Sequence, residues 1–209
     1  MAQTMTPSIT DEQIDKVLAT FRAALTKKRT EFGSEASQLA MGTDNLGMRL
    51  LAPFRELVEA NSTIIVRKVF VPARSFPDAL EATGRKQYVT NEVATAVLSE
   101  TEGVEREVIF AKIPASWYNN GYITCKRFDE FMDSIEIEPD PHGVAAVNES
   151  DPDFADEHPH GTQWKDAGGN YCCAAFSRWD DERRVFVGRD DSGWNDGWWV
   201  AGRRKSAAI

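Results

Sequence analysis

The chain has 209 residues, 42% of them hydrophobic, a formal net charge of −9 and a pI of about 4.9. That length suits one large domain or two small ones, and it can bury roughly 70% of its unfolded surface without covalent staples. The acidic balance argues against general nucleic-acid binding, which needs a basic face, and against adhesion to anionic membranes. The three cysteines, Cys125, Cys172 and Cys173, are odd in number and two are adjacent, so they form no disulfide framework. A reducing, cytoplasmic setting is the expectation. The sequence opens with no apolar leader and contains no long apolar run, so neither a signal peptide nor membrane insertion is expected.

The first predicted element is a helix from Thr10. Thr10 and Gln13 form a capping box, and Ile14, Val17, Leu18, Phe21 and Leu25 repeat at helical spacing. Lys27, Lys28 and Arg29 suit the negative end of its dipole. A short helix over Ser34–Met41 ends at Gly42, and another covers Leu46–Ala60, kinked or restarted at Pro53 and closed by Asn61. Residues 1–62 therefore read as a helical region that scaffolds or oligomerises the chain.

Residues 63–209 read as an α+β domain. Thr63–Val71 is β-branched and predicts a strand ended by Pro72. "PDALEATG" begins with Pro77 and stops at Gly84, which predicts a short helix. "TNEVATAVL" predicts a second, capped by Thr90 or Asn91. Arg106–Ile113 alternates as a strand; Lys126–Ser134 reads as a helix and Ile135–Ile137 as a short strand. Asp140 and Pro141 start one or two helical turns. From 149 to 164 the chain reads as an ordered loop. Asn170–Trp179 and Arg183–Arg189 read as strands joined by a turn at Asp180–Glu182. Asp190–Gly197 is irregular, and Trp198–Arg204 is a last strand. The C-terminal part is expected to be an antiparallel, β-rich region. The last residues, Ser206 to Ile209, read as a frayed tail.

Few residues point to catalysis. His158 and His160 stand beside Asp156 and Glu157, and acids crowd Glu149 to Glu157, so a metal-dependent enzyme using loop 149–160 is one alternative. The set lacks a second cluster to complete a coordination sphere. No nucleophile elbow, phosphate loop or dinucleotide fingerprint occurs. No cofactor, metal or catalytic residue is assigned, and the chain is expected not to be an enzyme. A second alternative is a structural or accessory protein of a phage or mobile element.

The tryptophans carry more information. Trp164, Trp179, Trp194, Trp198 and Trp199 cluster near the end of the sequence. Trp164 and Trp199 are expected in the core. Trp194 lies among Ser, Gly, Asn and Asp, as contact residues of binding surfaces do. Val185, Val187, Arg189, Trp194, Trp198, Trp199, Ala201 and Gly202 look like a fixed frame. Phe186, Gly188, Asp190, Ser192, Gly193, Asp196, Gly197 and Val200 interleave with it, and all are reachable from an asparagine codon by changes at adenine.

This pattern resembles the target proteins of diversity-generating retroelements. In that family a C-type-lectin-like domain ends in strands carrying a hypervariable patch, rewritten at adenines by an error-prone reverse transcriptase. The resemblance spans about Trp164 to Lys205. It implies a non-enzymatic binding protein with a protein or cell-surface macromolecular ligand and leaves homo-oligomerisation open. The expected ligand contacts are Phe186, Gly188, Asp190, Ser192, Gly193, Trp194, Asp196, Gly197 and Val200.

Overall fold

A computed structural model describes residues 9–205. The chain divides into two compact units, Met1–Asn61 and Ser62–Ile209.

The first unit is helical. Helix α1 spans Asp11–Lys27. Its capping box is complete: Gln13 N–H donates to Thr10 Oγ1, and Thr10 N–H donates to Gln13 Oε1 at 2.8 Å. Helices α2 (Ser34–Met41) and α3 (Leu46–Ala60) follow, and α3 runs through Pro53. Neither α1 nor α2 buries a residue.

The second unit is built on one mixed sheet. Its strands are β1 (Ile64–Val71), β2 (Lys86–Val89), β3 (Val104–Lys112), β5 (Ile137–Glu138), β6 (His160–Lys165), β7 (Tyr171–Trp179), β8 (Glu182–Arg189) and β10 (Trp199–Arg204). They lie in the order β1-β3-β10-β6-β7-β8-β2, with β5 pairing the far end of β10. Most pairs are antiparallel. The α+β architecture is as expected, and within the largely antiparallel sheet the pairs β10/β6 and β8/β2 are parallel. The cause is the route of the chain: after the β6-β7-β8 meander it recrosses the sheet and enters beside β6 in the same direction.

Strands β2 and β6 were not expected. Strand β2 is four residues long, and β6 begins inside the segment read as loop 149–164. That segment also contains helix α8 (Phe154–Glu157). Helix α7 (Pro141–Ser150) is longer than expected, because Asp140 caps it through Gly143 N–H and seven consecutive residues, His142 to Asn148, are buried.

One face of the sheet packs on α4 (Phe76–Ala82), α5 (Asn91–Ala96), α7 and α8. This core holds Val69, Val71, Phe76, Leu80, Phe110, Val144, Phe176, Val185, Val187 and Trp199. Burying such side chains supplies most of the favourable free energy of folding. The opposite face is covered only in part. Helix α6 (Cys125–Ser134) and a two-stranded ribbon, β4 (Tyr122–Ile123) with β9 (Trp194–Asn195), close its β3-β10-β6 half. Over β7, β8 and β2 exposed side chains remain.

Candidate functional site: an aromatic groove on the uncovered half of the sheet

The register fixes which residues share the open face. Gly161 of β6 lies level with Ala175 of β7, Ala175 with Phe186 of β8, and Phe186 with Tyr88 of β2. A neighbouring row reads Ser177, Arg184 and Lys86. Of these, Ala175, Phe186, Tyr88, Ser177 and Arg184 floor a groove of about 480 Å³ whose wall is Trp194, Trp198, Asn195 and Gly193 from the terminal loop. Three large aromatic side chains stay in water along it: Tyr88 at 42% exposure, Phe186 at 39% and Trp179 at 66%. Aromatics of this kind give large contact area at low entropic cost when a partner arrives.

Charge holds the far side in place. Glu182 accepts from Lys86 Nζ at 2.7 Å, Tyr88 Oη at 3.0 Å and Arg184 Nε at 2.8 Å. The Arg184 guanidinium stands 5.5 Å from the Tyr88 ring centre. The ammonium of Lys86 keeps the Glu182 carboxyl below its ordinary range. On the near side Asp190 Oδ1 accepts from the backbone N–H and hydroxyl of Ser192, a local turn that displays both side chains on the rim. The thiols beneath are Cys125 and Cys173, both free and buried. Burial pushes Cys173 up to about 12 and raises Cys125, so neither is a ready nucleophile.

The expected contact residues separate into two sets. Phe186, Asp190 and Ser192 line the groove, with Gly188 buried under the tip of the Phe186 ring. Asp196 and Gly197 are exposed in the turn before β10 but do not line it.

Two expected contacts, Trp194 and Val200, are corrected, while Gly193 stays on the groove wall without room for a side chain. Trp194 is not an exposed contact: it is 6% exposed, stacks on Phe128 at 4.8 Å and donates its indole N–H to Gln163 Oε1 at 3.0 Å. Its ring fills the space a Cβ on Gly161 would occupy. Val200 is fully buried, on the face of β10 that it shares with Gly202 and that α6 covers through Met132. Gly193 has φ +86°, and a Cβ there would collide with Ile123 O and Tyr122 Oη of β4, so no other residue fits. Around Trp194 local polarity hid the burial, because the cover comes from α6 and β4, some seventy residues earlier.

Tyr88, Arg184 and Trp179 belong to the site and were not assigned to it. Tyr88 sits in a strand too short to show a pattern. Trp179 stood out only as one tryptophan among five.

Loop 149–160 is not a metal centre. His160 is buried between Phe110, Phe154 and Phe176, with Nδ1 at 2.7 Å from His158 O and Nε2 at 2.8 Å from Asn148 Nδ2. Burial pushes its imidazole down to about 3. Asp156 instead faces Arg85, Arg178 and Arg183. Among the described residues no three His, Cys, Asp or Glu side chains gather to hold a metal ion. Among them, too, no helix is long and apolar enough to cross a membrane. No family model, curated protein or solved structure matches this chain.

Proposed function

We propose that this chain is a non-enzymatic binding protein that seats a protein or cell-surface macromolecular ligand on the uncovered β7-β8-β2 half of its sheet, and that a retroelement diversifies the rim. The observation carrying this reading is the row of half-exposed aromatics, Tyr88, Phe186 and Trp179, beside the polar rim of Asp190 and Ser192. A rigid aromatic floor with short polar neighbours combines contact area with adaptable hydrogen bonding. The packing supports the diversification reading: the frame residues Val185, Val187, Trp194, Trp199 and Ala201 are buried, while the rim side chains of Asp190 and Ser192 carry little of it.

The gene tests it. Sequencing the locus should reveal a near-copy of the codons for residues 183–202, beside a reverse transcriptase, with mismatches at adenines. On this reading the mismatches are expected on Phe186, Asp190, Ser192 and Asp196, and not on Gly193 or Val200. Absence of a copy, or mismatches on Val185 and Trp199, would overturn the diversification reading.

A further inference from the structure

The apolar stripe of α1 is exposed among the described residues. Ile14, Leu18, Phe21 and Leu25 are 40–60% exposed, and Leu39, Met48, Leu51 and Leu57 of α2 and α3 are exposed as well. Exposed apolar side chains gathered on one helix stripe are what an interaction surface presents.

The stripe has the spacing of a two-helix seam. The intervals from Ile14 to Leu18, Phe21 and Leu25 alternate between four and three residues, so Leu18 and Leu25 take the a positions and Ile14 and Phe21 the d positions. We infer that α1 pairs antiparallel with α1 of a second copy of this chain. The charges select that direction. With the pair centred between Ala19 and Thr20, Leu18 meets Phe21 of the other copy and Ile14 meets Leu25. Asp11 and Lys28 then close each end of the seam as an opposite-charge pair, Lys28 being the residue that also bonds Glu31. Beside the seam, Asp15 and Arg22 both occupy e positions, and e faces e in an antiparallel pair. Each dimer therefore gains two Asp15–Arg22 contacts on one side and apolar Val17–Ala24 contacts on the other. Among the described residues neither Asp15 nor Arg22 has an ion-pair partner within its own chain. A parallel pair would place Asp15 beside Thr10 and Arg22 beside Val17, and would leave both charges unmatched.

This inference does not rest on the reading of the groove. Sedimentation equilibrium of the full chain at tens of micromolar should give a mass above the 23.3 kDa of one copy. Leu18→Glu with Phe21→Glu should give monomer. Asp15→Arg alone, and Arg22→Asp alone, should each weaken association roughly tenfold or more, since each sets like charges face to face twice. The combined swap should recover the wild-type strength. Far-ultraviolet circular dichroism checks that α1 stays helical in every variant. A monomeric wild type, or an oligomer indifferent to the Leu18/Phe21 change, overturns the inference. A combined swap no stronger than either single change overturns the antiparallel register.

Discussion

One face of one sheet has two fates here. Over β3, β10 and β6 it lies beneath α6 and the β4-β9 ribbon, and Gly161 is required where Trp194 of that cover presses closest; at Gly202 it is β5, through Glu138 O, that leaves no room for a Cβ. Over β7, β8 and β2 Tyr88, Phe186 and Trp179 stand in water. The strands are alike in alternation and in β-branched or aromatic content. The difference lies in what arrives above them from elsewhere in the chain. Burial is thus a property of the layer, while residue type at a given position is only a hint of it.

The comparison can be broken or sharpened by four measurements, taken from the largest effect down. Trp194→Ala removes the keystone of the closed half and should cost about 3–5 kcal/mol in urea unfolding. An unchanged midpoint would place Trp194 functionally with the open half. Acid is the next probe. His160 is held neutral in the native state, with its imidazole pushed down to about 3, whereas the unfolded side chain takes its proton near 6.5. Between those values the unfolded state binds more protons, so stability falls as pH drops from about 6.5 toward 3. The loss owed to His160 should reach on the order of 3 kcal/mol by pH 4. His160→Gln should flatten the pH dependence by that amount, and equal slopes for the two proteins would refute the assignment.

Gly193→Ala should cost about 1–3 kcal/mol, from positive φ and the collision with β4. A neutral result would mean that the ribbon is not packed as described. Trp179→Ser, on the open half, should change stability by less than about 0.5 kcal/mol, despite deleting the largest side-chain type in the protein. A loss comparable to that of Trp194→Ala would erase the distinction between the halves.

Local signals were legible wherever the physics is local. The capping box of α1, Pro77 opening α4 before Gly84, and the β7-β8 hairpin with Asp180 and Asp181 at positive φ all follow from residues a few positions apart. The frame residues Val185, Val187 and Trp199 could be read as core by alternation. What could not be read was the cover. Trp194 sits among turn residues, and its partners Phe128 and Gly161 are distant in sequence. The one available hint was Gly161 itself, a bare position in an alternating stretch, which marks a close approach by something else. Tyr88 gave no sign, since a four-residue edge strand shows neither period nor composition.

The central position of β10 has a consequence for how the unit is made. Every strand that flanks it is synthesised earlier, so the middle of the sheet is the last part to arrive. Until β10 inserts, β3 and β6 each present a bare edge, and the pocket meant for Trp199 stands empty. Such long-range closure slows folding and leaves strand edges open to wrong partners in the meantime. On the ribosome, this unit must wait for its final strand before it can fold at all.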